Sequence, residues 1–176
     1  NVIVGRLNPV NLSIKAHGPP KLTKIEQRSR DVIAIARDGI FHHPTNSTTV
    51  TTRSVWFERD AAGRISAIRD PNSGSNGLPV VKYVYNRETG NLIQVQRLTD
   101  RTAGTFTTTK YHFDRPDFPH FITSIEDPRG IPLARNEYDD AGRLTAVVDA
   151  DGKRTEFIHS TTNRVEITVD RLGYSN

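Results

Sequence analysis

The chain has 176 residues and 19.7 kDa, enough for one ordinary domain. Its 24 Lys and Arg against 20 Asp and Glu give a net charge of +4 from a balanced mixture without a long basic run, which argues against a nucleic-acid partner. Cys is absent, which excludes disulfides and thiolate metal sites, and no run of about 18 apolar residues is available to span a bilayer. Apolar residues make up 35% and the mean hydropathy is −0.55, a thin, even distribution that suits sheets better than a thick core. With no Met and no basic start leading into an apolar signal core, the chain reads as a segment of a longer or processed product.

Residues 1–50 are the least regular and are read as an irregular N-terminal segment. Gly5-Arg6-Leu7-Asn8-Pro9-Val10 and Pro20-Lys21-Leu22-Thr23-Lys24-Ile25 echo a motif that is clearer downstream and are taken as worn copies of it. Lys24 to Ala36 has the composition of a short helix, but Val32-Ile33-Ala34-Ile35-Ala36 favours a strand. His42-His43 with Asp38 suggests a metal pair; adjacent residues on a strand point to opposite faces and cannot chelate together, so a solvated turn is expected. Thr45 to Phe57, rich in Thr and Val, predicts one long strand.

Residues 51–176 hold about five copies of one pattern, and such internal repetition decides the architecture before anything else. The clearest copy runs from Tyr138 through Gly142-Arg143-Leu144 to Asp149 and Gly152. A second runs from Phe57 through Gly63-Arg64-Ile65 to Asp70 and Pro71. A third keeps Tyr85, Gly90 and Leu92, with Arg97 in place of the closing Asp. A fourth opens at Phe113, substitutes His120 for the glycine and closes with Asp127 and Gly130. The last carries His159, Asn163, Val165, Asp170 and Gly173. Anchors at 63, 90, 120, 142 and 163 lie 27, 30, 22 and 21 residues apart, the extra length falling in 73–77 and 102–104, where a loop absorbs insertion cheaply.

Each copy predicts strand, turn, strand. Apolar and polar residues alternate from Arg164 to Asp170, and the segments before the anchors are β-branched and aromatic. Asp139 or Asn86 can accept a bond from the backbone two residues on, while Gly63, Gly90 or Gly142 can take a positive φ. The closing Asp70, Asp127 and Asp149 then reverse the chain again. The fold class expected is all-β, built of consecutive antiparallel β-hairpins, with recurrent aromatics stacking on their counterparts in neighbouring hairpins.

The pattern Tyr-Asp-x-x-Gly-Arg-Leu-Thr-x-Val-x-Asp-x-x-Gly at Tyr138 to Gly152 resembles the YD repeat of RHS and YD-repeat proteins, and the similarity extends over residues 55–173. The resemblance implies a curved or spiralling sheet of hairpins, a shell around a passenger in long members, and a secreted or cell-surface setting. The self-cleavage segment of RHS proteins has no counterpart here, since Asp127-Pro128-Arg129-Gly130 is an ordinary repeat closure.

Chemistry-bearing motifs are weak. Asp149-Ala150-Asp151-Gly152 lacks the twelfth-position acid of a calcium loop, and Ser54, Ser66 and Ser124 have no nucleophile-elbow context. No catalytic, cofactor-binding or metal residue is assigned. The expectation is a non-catalytic structural module whose partners are other repeats of its parent protein. One alternative is a fibre or layer subunit that pairs with copies of itself through open strand edges. Another is an adhesive module binding a glycan or protein through loops 71–79 and 99–109.

Overall fold

The computed structural model describes residues 22–45, 51–160, 162 and 165–175, in two compact units, 1–82 and 83–176. The described residues contain no helix; every element is an antiparallel strand or a turn, as expected for an all-β chain of successive hairpins.

In the first unit the strands are β1 (Lys24–Glu26), β2 (Val32–Ala36), β3 (Gly39–His43), β4 (Arg53–Arg59), β5 (Ile65–Arg69) and β6 (Val81–Tyr85), the last crossing the division. Each pairs with the one before it, so the ladder follows chain order. Alternation places Ile33, Ile40, Val55, Phe57, Ile68 and Val81 on one face by register. On the other, Glu58, Ala67 and Lys82 form a row, and Glu58 is ion-paired with Arg69.

The second unit continues the pattern with β7 (Leu92–Asp100), β8 (Thr105–His112), β9 (Ser124–Glu126), β10 (Pro132–Tyr138), β11 (Leu144–Asp149), β12 (Arg154–Ser160) and β13 (Val165–Val169). Its apolar face carries Val95, Tyr111, Ile125, Ala134 and Val147. On the opposite face Ala146 lies between Glu137 and Glu156, and Arg154 reaches both, at 2.6 and 2.8 Å. That bridge leaves the alanine methyl 0% exposed, and a larger side chain there would lift the ion pairs off the sheet.

Among the described residues the buried apolar side chains are Ala67, Val95, Ala146 and Val148, and no large side chain is fully buried. Stability is therefore spread along the ladder, each hairpin resting on its neighbours, as in quasi-one-dimensional repeat architectures.

Several expectations need correction. The Lys24–Ala36 segment is two strands joined by a turn, and the strand reading of Val32–Ala36 holds. His42 and His43 belong to β3, where the Val32↔His43 and Ile33↔His42 pairs hold them, and not to a solvated turn. Of the strand expected over Thr45 to Phe57, Thr45 instead bonds Asp31 and Ser29, β4 begins at Arg53, and residues 46–50 lie outside the described residues. The expected loop 99–109 is mostly β7 and β8, with only 101–104 as a turn. Gly5–Val10 and Asn163 lie outside the described residues.

Candidate functional site

The feature that recurs is a five-residue turn. At Asp60–Arg64, Asp127–Ile131, Asp139–Arg143, Asp149–Lys153 and Asp170–Tyr174, the first residue's N–H donates to the fifth residue's carbonyl, at 2.9 Å in each. The fourth residue, always glycine, donates its N–H back to the first carbonyl at 2.9–3.1 Å and has a φ of 78–86°. The Asp carboxylate completes the turn: Asp139 Oδ1 accepts from the N–H of Ala141 (2.9 Å) and Arg143 (2.8 Å), and Asp127, Asp149 and Asp170 accept in the same way. This is the type I turn followed by a left-handed residue that closes three-residue hairpin loops.

The arginine of the Gly-Arg pair also acquires a role that sequence spacing did not show. Arg143 Nε donates to Asp139 Oδ2, and Arg64 Nε to Asp60 Oδ2, both at 2.7 Å; Arg129 does the same for Asp127 from inside its turn. These bonds shift the carboxyls. The Ile131 N–H holds Asp127 below the ordinary range, and the Arg143 N–H does so for Asp139. At Asp60 burial pushes upward but the Arg64 contacts outweigh it, leaving the carboxyl lowered.

Gly63, Gly130, Gly142, Gly152 and Gly173 thus share one conformation, with Asp60, Asp127, Asp139, Asp149 and Asp170 as their turn-opening partners. Gly90 has a φ of 76° in a turn one residue longer, in which Asn86 Oδ1 caps Glu88 and Thr89. A further copy escaped the sequence reading. Gln27–Asp31 makes the same two backbone bonds, with Arg30 in the glycine place at φ 68°. A side chain in that region costs about 1 kcal/mol or more, so Arg30→Gly is expected to stabilise the chain by about 1 kcal/mol in a denaturant titration.

The aromatic positions behave less uniformly. Tyr138 precedes its turn, donates its hydroxyl to the Ile122 carbonyl at 2.9 Å and packs on Phe121, 5.1 Å between ring centres, rather than on Phe113. In the 57–70 copy the register puts Arg59, not Phe57, in that place, since Arg59 faces Ile65 as Tyr138 faces Leu144. Phe57 sits opposite Ile68 on the apolar face. Arg97 lies within β7, and the closing role falls to Asp100, which caps Thr102 and Ala103. Phe113 lies just beyond β8, while His120 sits in the connector to β9 and bonds Asn91 at 2.7 Å. Asp70 caps Ser73; Leu92, Leu144 and Val165 open β7, β11 and β13.

One concavity stands out in the second unit. β7 and β8 pair only as far as Gln94↔Lys110 and then diverge, leaving a groove of about 620 Å³ lined by Asn91, Ile93, Tyr111, His112 and Arg115 among others. Its far end is clasped by Asn91 Nδ2, which donates to the Pro119 carbonyl at 2.6 Å. Lys110 is paired with Glu126 at 2.7 Å, which lowers the Glu126 carboxyl, and Arg115 donates to the Tyr138 carbonyl. Asn91, Lys110 and Arg115 are thus engaged by neighbouring segments.

Serial antiparallel hairpins closed by one repeated turn define a β-hairpin repeat protein. Residues 138–174, from the end of β10 through β13 and including three of the turns, match the family described as RHS Repeat. No curated protein matches the chain.

Proposed function

We propose that the chain is a non-catalytic structural module of a secreted or cell-surface protein, a stiff segment of shell or scaffold whose partners are further hairpins of the same kind. The observation that carries this reading is the reuse of one turn, bond for bond, in both units. A structure that repeats its connections and varies only its insertions is organised for extension. Its ionisable groups support the same conclusion: Asp60, Asp127 and Asp139 are consumed by turns, and Glu58, Glu126, Glu137 and Arg154 by cross-strand pairs.

Limited trypsin digestion of the full chain tests this. Cleavage is expected at turn residues such as Arg28, Arg87, Arg101 and Arg171, with Arg97 and Arg135 inside strands protected until urea is added. Cleavage at strand and turn sites at equal rates without urea would reject the stiff-module reading.

A second reading, self-assembly through strand edges, is favoured by β13. Val165 is 46% exposed there, and after the Asp170 turn Ser175 already bridges back to Val169. Concentration-dependent growth by light scattering is the expected sign of this reading, and a monomer at high concentration would reject it.

A further inference from the structure

We infer that the first unit carries an oxyanion-binding groove at Arg37 and Arg59, suited to a small organic molecule bearing a phosphate, sulfate or carboxylate group. Arg59 is half-buried at the end of β4, and two neutral acceptors hold it: its Nε donates to the Arg37 carbonyl at 2.9 Å and its Nη1 to the Gly63 carbonyl at 2.8 Å. Neither contact offsets its charge. Arg37, in the turn between β2 and β3, brings its own guanidinium to the same spot, one terminal nitrogen lying 3.9 Å from where a Cβ on Gly63 would stand.

The nearby carboxylate is already committed, Asp60 to Arg64 at 2.7 Å, and among the described residues neither Arg37 nor Arg59 forms an ion pair. Two cations therefore converge on Gly63 with neither ion-paired to a carboxylate among the described residues. A guanidinium fixed by carbonyls keeps its remaining N–H groups in a preset fork, the geometry that oxyanions accept.

The space beside them is a groove of about 590 Å³, bounded by Leu22, Thr23, Ile35 and Ala36 as well as the two arginines. That is larger than a bare ion requires, and the aliphatic wall suits an apolar body attached to the anionic head.

The probe is phenyl phosphate, compared with inorganic phosphate, titrated into the full chain while the arginine Nε–H signals are followed by NMR. Saturable shifts at Arg37 and Arg59 are expected, at lower concentration for phenyl phosphate because of the apolar wall. Arg37→Gln, an exposed change that leaves the Arg59 bonds in place, is expected to weaken binding about tenfold, the loss of one charge-assisted contact. Arg87→Gln is expected to change nothing. Shifts that never saturate, that appear equally at Arg87 and Arg171, or that survive Arg37→Gln would overturn the site. Preference for inorganic phosphate would overturn the role of the apolar wall and leave a site for the free ion, contrary to the inference.

Discussion

Gly142→Ala is expected to destabilise the chain by about 2–4 kcal/mol, while Gly152→Ala costs only about 1 kcal/mol, although both glycines have the same φ of 78°. The shared part of the cost is the left-handed backbone, where a Cβ meets its own carbonyl. The difference lies in the surroundings. A Cβ on Gly142 would stand 2.9 Å from Phe118 and 3.1 Å from Phe121, rings that stack on each other at 4.9 Å and carry Tyr138, whereas nothing lies within 4 Å of a Cβ on Gly152. The rings cannot retreat without breaking the Tyr138 contact, so the strain adds to the backbone term. Chemical denaturation of the two variants beside the parent chain measures the difference. Equal losses would show that the 113–123 connector does not seat on the turn.

Acidification is expected to cause the larger collective loss. Asp127 and Asp139 are lowered by backbone N–H donors, Ile131 and Arg143, and Asp60 by Arg64 against opposing burial; Glu126 is lowered by Lys110. A carboxyl whose folded value lies below its unfolded one, about 3.9 for Asp, contributes stability above that unfolded value and loses it as pH falls through the folded one. The denaturant midpoint should therefore stay level from neutral pH to about 5 and drop steeply below about 4, because several turns fail together. Asp127→Asn, which keeps the shape but loses the charge facing Arg129, should lower the midpoint at neutral pH and shallow the acid drop. A midpoint unchanged to about pH 2 would mean that the turn carboxylates contribute no net stability.

The hairpins were legible because their signals are local. Period-two alternation and an Asp-x-x-Gly spacing are read from a few adjacent residues, and they located β6, β12, β13 and the turns at Gly63 and Gly142 correctly. What escaped depends on pairing across strands. The place of Arg59 opposite Ile65 follows from the Asp60–Arg64 pair that closes the turn, and counting back from Gly63 to the nearest aromatic selects Phe57 instead. Likewise, Arg97 sits at the spacing of a closing residue, but β7 pairs with β8 as far as Asp100, so the turn moves three residues on. Arg30 was invisible as a turn residue because it lacks the glycine that marks the others, its conformation being enforced by the β1–β2 pairing around it.

The same division applies to the candidate sites. Turn-forming Asp residues carry their reason in the sequence, since a short carboxylate reaches backbone N–H groups two and four positions on. The burial of Ala146 beneath Arg154 required knowledge of which residues stand opposite it, and the convergence of Arg37 with Arg59 joins residues 22 positions apart through three strands. Sequence spacing alone holds no record of either.

Cross-strand backbone NOEs in the isotopically labelled full chain test the central claim, that the polypeptide is a succession of antiparallel hairpins set by one repeated turn. Contacts are expected between Phe57 and Ile68, Tyr111 and Ile125, Val147 and Thr155, and Phe157 and Thr168. Helical contacts between residues three apart, or strand pairs displaced by one residue from these partners, would contradict it.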